Sequence, residues 1–377
     1  MDTLTTPSNW QKVRLGDILS YEQPTKFLVA TTQYLQKGFT PILTAGKTFI
    51  LGYTNDKHGI YTNIPVIIFD DFTTDSKMVN FPFKVKSSAI KILSLRDNNQ
   101  ADLKYIYEKL TLLKHQVTDH KRYWIDEFSN IEILLPPLNE QAAIANILSD
   151  LDHYLYSLDA LILKKESVKK ALSFELLSQR KRLKGFNQNW QRVRLGDIGK
   201  PCMCKRVMKH QTTRYGEIPF YKIGTFGNTA DAFISKKLFL EYKTKYSFPK
   251  KGDILISASG TIGRAVIYDG KPAYFQDSNI VWIDNDETLV KNDFLFYAYS
   301  NIKWNTEYTT ILRLYNDNFR NTLIPLPPLN EQAAIANILS DLDNEITSLK
   351  NKKRQFENIK KALNHDLMST KIRVLNK

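Results

Sequence analysis

The stretch "LPPLNEQAAIANILSDLD" occurs twice in this chain of 377 residues, from Leu135 to Asp152 and again, letter for letter, from Leu326 to Asp343. The two copies lie 191 positions apart. Upstream, "NWQKVRLGDI" (Asn9 to Ile18) returns almost unchanged as "NWQRVRLGDI" (Asn189 to Ile198). The chain therefore contains two matched halves, which predicts an internal pseudo-twofold repeat whose period is far too long for a solenoid.

Each copy of the repeated stretch opens a predicted long helix. Pro136 and Pro137 stop the preceding element, Asn139 is a good N-cap, and Gly185 ends the first helix. Such a helix would be roughly 69 Å long. Apolar residues then recur at spacings of four and three, which is typical of a coiled coil. The first seam is Ile144, Leu148, Leu151, Leu155, Leu158, Ile162, Leu172 and Leu176, and the second is Ile335, Leu339, Leu342, Ile346, Leu349, Phe356, Leu363 and Leu367.

An isolated seam of this kind would leave apolar side chains in water, so each helix needs a partner. The simplest partner is the other helix, in an antiparallel pair, although a homodimeric coiled coil would cover the same surface. Lysines interrupt both seams, at Lys165 and Lys169 and at Lys353 and Lys360. The basic cluster from Arg180 to Lys184 reads as a solvated helix end or as a phosphate contact.

The regions between the repeated segments have a different sequence pattern from the helices. Short β-rich runs, punctuated by Gly, Pro, Asn and Asp, indicate mostly antiparallel sheets, and two amphipathic stretches indicate helices. We therefore predict an α+β protein with two similar mixed α/β regions, joined by two long antiparallel helices. The predicted divisions are 1–138, 139–185, 186–329 and 330–377. The runs are 64–70, 81–93, 252–260, 264–270 and 279–284, and the helices 101–117 and 291–301.

The composition limits the class of protein and its partners. The net charge is +14 and the pI about 9.4, which makes nucleic acid the first partner to consider. Residues 186–325 carry 20 basic and 13 acidic residues, whereas residues 1–135 are nearly balanced, with 16 and 14. No run of about 18 apolar residues occurs, so we expect no membrane span and a cytoplasmic protein.

The sequence lacks the patterns of an active site. "GKT" at Gly46 to Thr48 has Pro41 where a phosphate-binding loop needs glycine, and the six histidines are scattered. Asp75 and Lys77 supply only half of a metal-dependent nuclease motif. The two cysteines, Cys202 and Cys204, are fewer than a structural zinc site requires. We therefore expect no enzyme activity, no metal and no cofactor.

Two polar loops that follow apolar strands are the candidate contact sites for nucleic acid. In "SASGTIGR", Gly260 and Gly263 allow a close backbone approach to phosphates, although a tight hairpin turn would also need them. The other candidate residues of this loop are Ser257, Ser259, Thr261 and Arg264. By analogy of position, "DDFTTDSK" and its surroundings give Asp71, Thr73, Thr74 and Lys77, together with Lys47, in the first half.

Taken together, these motifs resemble the specificity subunit of type I restriction-modification systems. The resemblance covers the whole chain and rests on "LPPLNEQAAIA" twice, on the paired "W-x-x-V-x-L-G-D-I" openings and on "GTIGR" after "GDILIS". It implies two target-recognition domains that each read one half of a split sequence in double-stranded DNA. It also implies partner chains, namely methyltransferase subunits, expected as two copies, and restriction subunits, which carry out the chemistry.

Two other interpretations stay open on the sequence alone. The chain could be a coiled-coil adaptor without affinity for DNA, or the detached specificity half of a fused restriction-methylation enzyme. The resemblance carries the loop contacts over only to the residues from Gly260 to Arg264, because the first half lacks a "GTIGR" string.

Overall fold

The computed structural model describes residues 9–46, 48–113, 122–304, 307–308 and 312–374, and it divides into two compact units. The first unit contains residues 1–160 and 351–377, and the second contains residues 161–350. Both boundaries fall inside the long helices, so each unit combines one mixed α/β region with parts of both helices. The predicted fold class is confirmed.

The α/β region of the first unit is built on a four-stranded antiparallel sheet with the order β2-β8-β5-β6. A three-stranded sheet, β4-β3-β7, and a two-stranded ladder, β1-β9, accompany it. The elements are β1 (Gln11–Arg14), α1 (Leu15–Ile18), β2 (Leu19–Glu22), β3 (Thr40–Leu43), β4 (Ile50–Thr54), β5 (Val66–Asp70), β6 (Ser76–Val79), β7 (Lys84–Val85), β8 (Ile90–Leu95), α2 (Leu103–Leu112), α3 (Tyr123–Asp126), β9 (Glu132–Leu135) and α4 (Leu138–Leu177).

The second unit repeats this topology. Its four-stranded antiparallel sheet has the order β11-β17-β14-β15, its three-stranded sheet the order β13-β12-β16, and β10 pairs with β20. The elements are β10 (Gln191–Arg194), α5 (Leu195–Ile198), β11 (Gly199–Met203), β12 (Ile218–Tyr221), β13 (Phe233–Ile234), α6 (Lys236–Lys245), β14 (Ile254–Ser257), β15 (Ala265–Ile267), β16 (Tyr274–Phe275), β17 (Ile280–Asn285), α7 (Asn292–Tyr299), β18 (Glu307–Tyr308), β19 (Leu312–Arg313), α8 (Asn316–Asn321), β20 (Leu323–Leu326) and α9 (Leu329–Met368).

One of the two inner strands of each four-stranded sheet, β5 or β14, is buried on both faces, which explains its run of consecutive apolar residues. In β5, Ile67 and Phe69 pack towards the long helices, whereas Val66 and Ile68 pack towards the three-stranded sheet. In β14, Ile254 and Ile256 belong to the core shared with the helices, and Leu255 belongs to the opposite core. Each α/β region is therefore a layered structure with one sheet between two cores.

The two long helices have the same bounds relative to the repeat and the same C-terminal turn. Each runs for 40 residues, starting one residue before the predicted N-cap Asn139 in the first copy. The predicted end at Gly185 is wrong, because α4 stops at Leu177. The chain turns there through Gln179 at φ 60°, as it does after α9 through Thr370 at φ 65°. A left-handed residue terminates a helix whether or not it is glycine.

Within each unit the long helices pack antiparallel, and the lysines that interrupt the seams form ion pairs across it. In the first unit Lys360 lies 2.7 Å from Asp152, and in the second unit Lys169 lies 2.5 Å from Asp343. Both aspartates belong to the repeated stretch. Burial opposes the charge of Asp152, but hydrogen bonds from Lys104 and Lys360 outweigh it and lower the pKa of this carboxyl. The interruptions are therefore specific contacts between the helices.

The glutamate of each "LPPLNEQ" is a buried anion held by an arginine and a tryptophan. Arg373 donates two hydrogen bonds of 3.0 Å to Glu140, and Trp10 donates one of 3.3 Å. In the second unit, Arg182 and Trp190 hold Glu331 in the same way. Arg182 is thus neither a solvated helix end nor a free phosphate contact, which corrects the interpretation of its cluster.

The neighbouring glutamine fastens the α/β region to the helix. In the first unit, Gln141 Oε1 accepts the backbone N–H of Asp102, at the start of α2, at 2.9 Å. Its amide nitrogen donates to the carbonyl of Pro136 at 2.8 Å. Gln332 repeats both bonds in the second unit, with Lys291 before α7 and with Pro327.

We expect Arg373→Met to lower the free energy of unfolding by about 2–3 kcal/mol, because it leaves a buried carboxylate without its cation. The side chain of Glu140 is 3% exposed, whereas that of Arg373 is 28% exposed, which moderates the loss. Urea unfolding followed by circular dichroism measures it. Arg122→Met is the matched control, because Arg122 pairs with Asp126 on the surface, and a change of no more than about 0.5 kcal/mol is expected. Equal losses in the two variants would contradict this role for Arg373.

Candidate nucleic-acid interface

The loop between β14 and β15 is shaped by its own serine and glycines. The N–H of Ser257 donates to the carbonyl of Arg264 at 3.0 Å, and the N–H of Gly263 donates back to Ser257 at 2.9 Å. The Ser257 hydroxyl also donates to the carbonyl of Thr261 and accepts the N–H of Arg264. Gly260 and Gly263 have φ of 64° and 82°, in the left-handed region. A Cβ at Gly263 would lie 2.1 Å from Trp304 Nε1, so only glycine fits there.

The predicted contact residues of this loop separate into an internal and an external group. Ser257 and Ser259 are buried, and their hydroxyls are used inside the protein. Gly260, Thr261 and Arg264 are exposed, and Gly263 is partly exposed. Arg264 Nη1 donates to the carbonyl of Phe226 at 3.0 Å, so the side chain is oriented by a neutral group that leaves its positive charge in place. An oriented guanidinium of this kind suits guanine or phosphate.

Two further residues, which the sequence did not single out, order the base of the loop. Asn279 Oδ1 accepts the Ser259 hydroxyl at 2.9 Å and Arg313 Nη2 at 2.7 Å. Arg313 also donates to the Ser278 hydroxyl at 3.2 Å. The turn signal "DSN" before β17 marks this place in the sequence, but the pairing with Arg313 joins residues 34 positions apart.

The corresponding loop of the first unit, between β5 and β6, occupies the same position in the sheet order. It is held by Asp70, whose carboxylate accepts the N–H groups of Phe72 at 2.7 Å and Thr73 at 3.2 Å. Thr74 adopts φ 57°. Thr73 is exposed, whereas Thr74 and Lys77 are partly buried. These residues therefore lie together on one hairpin.

Asp71 has a clear internal role in the first unit. Its carboxylate lies 2.8 Å from Lys91 Nζ, and both side chains are buried. It also accepts the N–H of Trp124 at 2.9 Å, which ties the loop to α3. The remaining predicted residue, Lys47, lies outside the described residues.

The described residues contain no group of three or more His, Cys, Asp or Glu side chains placed to hold a metal ion. Burial raises the pKa of the Cys204 thiol to about 12, which opposes the thiolate that a metal needs. In the described part of the chain, every helix is too short or too polar to cross a membrane.

Comparison with known proteins assigns the family. The family described as the type I restriction modification DNA specificity domain matches residues 7–165 and 187–358, one match for each α/β region. The chain belongs to this family. A specificity subunit of a type I restriction enzyme from Escherichia coli is 33% identical over 362 residues, covering 89% of this chain and 87% of that protein.

A second relative and a solved structure agree with this membership. A putative type I restriction enzyme specificity subunit of Haemophilus influenzae is 57% identical over 171 residues, covering 45% of this chain and 44% of that protein, so this chain spans less than half of that relative's length. The S subunit of a type I system from M. genitalium has the same fold, with a TM-score of 0.64 at 18% identity over 97% of both chains. Membership in this family supports the interpretation as a type I specificity subunit, and it supports neither the coiled-coil adaptor nor the detached half of a fused enzyme.

Proposed function

We propose that this chain is the non-catalytic, DNA-reading scaffold of a cytoplasmic type I restriction-modification complex. Regions 1–138 and 186–329 are the target-recognition domains, and each reads one half of a bipartite target in double-stranded DNA. The segments 139–185 and 330–377 join them. One observation carries the proposal: equivalent strands in the two regions end in loops of equivalent position, yet these loops share almost no sequence. Two readers of the same design but with different surfaces suit two different half-sites.

The joining helices support a partner that binds twice. Within the repeated stretch, four positions are exposed in both copies and still identical. The asparagine at the start of each helix also accepts the N–H of the next residue, Glu140 or Glu331. At the other exposed positions packing inside the chain does not require identity, whereas two copies of one partner do. We infer that these positions bind methyltransferase subunits, one per copy, and that methyl transfer and cleavage are carried out by these and by restriction subunits. The positions are Leu138, Asn139, Asn146 and Asp150, and Leu329, Asn330, Asn337 and Asp341.

The proposal predicts a split methylation target. In a strain without DNA modification, this chain and a matching methyltransferase subunit should methylate two short defined blocks separated by an undefined gap. Methylome sequencing measures this, and the methyltransferase subunit alone is the control. A continuous motif, or no methylation in the presence of an assembled complex, would contradict the proposal.

Arg264→Ala should change or relax recognition in one half-site only, because the exposed guanidinium belongs to one loop. Loss of a bidentate contact with a base costs about 1–3 kcal/mol of discrimination. Arg192→Ala is the control, since Arg192 is exposed in β10 and belongs to a different sheet. Methylome sequencing and gel filtration of the complex are the readouts. Loss of assembly with an unchanged target would show that Arg264 is structural.

Charge reversal at the repeated exposed positions should act on assembly and not on the target sequence. We expect Asp150→Arg or Asp341→Arg to remove one methyltransferase subunit and the double variant to remove both. Native mass spectrometry counts the subunits. The control is Ser157→Arg with Ser348→Arg, which changes exposed positions of the same helices outside the repeated stretch. Full assembly of the double aspartate variant would argue against this surface.

A further inference from the structure

In the described residues, the second α/β region contains a basic helix at a place where the first region has none. Helix α6 lies between β13 and β14, where the first unit has the strand-free residues 55–65 between β4 and β5. The segment from Lys236 to Lys251 contains six lysines and one acidic residue, Glu241. This segment accounts for most of the basic excess of residues 186–325.

Helix α6 is anchored so that its lysines face solvent. Ser235 caps its N-terminus by accepting the N–H of Leu238 at 3.2 Å. Phe239 is buried and meets Phe248 edge to face, with ring centroids 5.6 Å apart. Phe248 in turn packs on Tyr268, directly after β15. The helix is therefore a fixed part of the second region.

Several of these lysines form no ion pair with the described residues, although Lys243 Nζ lies over the rings of Phe239 and Phe248, at 5.6 and 5.3 Å from their centroids. Lys245 pairs with Glu241 and Lys250 pairs with Asp284, but in the described residues no carboxylate lies within 4.0 Å of the ammonium groups of Lys236, Lys237, Lys243 and Lys251. All four are exposed. Lys236 and Lys243 lie two turns apart on one side of the helix, about 10 Å from each other.

Helix α6 precedes β14 in the chain, and the candidate DNA-contact loop 258–264 follows the same strand. Residues 246–253 connect α6 to β14, and in this connection the N–H of Gly252 donates to the carbonyl of Tyr268 at 2.9 Å. The loop 258–264 is at the other end of β14, a strand of four residues and roughly 13 Å.

We infer that helix α6 binds phosphates of the DNA backbone next to the half-site read by the second region. Lysine contributes a hydrated point charge that suits phosphate and reads no base, so the contact adds affinity without adding sequence information. The described part of the first region contains no counterpart of this helix, and the two half-sites therefore contribute unequally to binding. This inference rests on the proposed DNA-reading function.

The salt dependence of DNA binding tests the inference. The variant Lys236→Gln, Lys237→Gln, Lys243→Gln keeps residues that favour a helix and removes three charges. The full-length chain in its complex with the methyltransferase subunit would be titrated with two duplexes of equal length. One carries the target sequence found by methylome sequencing, and the other has a random sequence. The slope of log K against log salt is negative, and each lost phosphate contact makes it less steep by about 0.9. The magnitude of the slope should therefore decrease by about two to three. The preference for the specific duplex should stay the same within about twofold.

A matched variant separates a local contact from a general effect of charge. Lys164→Gln, Lys170→Gln, Lys361→Gln removes the same charge from exposed positions of the long helices and should leave the slope unchanged. Phosphate-ethylation interference should lose signals beside one half-site only, in the α6 variant only. An unchanged slope, an equal change in both variants, or lost subunit assembly with unchanged DNA binding would each overturn the inference. If the wild-type complex bound no DNA sequence specifically, the proposed function itself would fail.

Discussion

The buried carboxylate in each "LPPLNEQ" is the interaction on which the architecture depends. An unpaired anion at that depth would be costly, and three donors from distant parts of the chain remove the cost. Glu140 binds Arg373, 233 positions away, and also Trp10. One charge therefore joins the start of one long helix, the segment after the other and the residue before the first strand of the α/β region. Because Glu331 does the same with Arg182 and Trp190, both halves of the chain are closed by the same contact.

The two long helices hold the α/β regions through contacts that do not depend on the sequences of those regions. Gln141 and Gln332 each accept a backbone N–H from the α/β region, which every residue except proline supplies, so the regions can diverge without losing the attachment. The side-chain contacts do differ. In the first unit Glu108 of α2 accepts Lys360, whereas in the second unit Tyr297 of α7 donates to Asp343 at 2.9 Å. Burial and the contact with Asp343 raise the pKa of Tyr297, so it stays a donor. The ion pair between the helices is thus joined by a glutamate of α2 in the first unit and by a tyrosine of α7 in the second.

The two long helices could be predicted from the sequence because their heptad pattern is local and occurs in both halves of the chain. Heptad spacing located both helices, and the short apolar runs within 64–70 and 252–260 located strands that are buried on both faces. It could not assign the interrupting lysines, since their partners lie on the other helix. Helix α6 was missed although Ser235 and the spacing of Leu238, Phe239 and Tyr242 favour a helix, because so lysine-rich a stretch is equally typical of a solvated loop.

Residue type alone could not separate the polar groups that shape the reading loops from those that face a ligand. Serine and aspartate suit both purposes, and only burial distinguishes them. Ser257, Ser259 and Asp71 are enclosed and fully used within the protein, whereas Thr261 and Arg264 stand on the exposed part of a loop fixed by other residues. This division has a consequence for specificity. Substitution of the exposed side chains leaves the loop's internal hydrogen bonds of Ser257 and Ser259 in place. If the loop reads bases as proposed, the base preference of a half-site would then change while the fold stays the same.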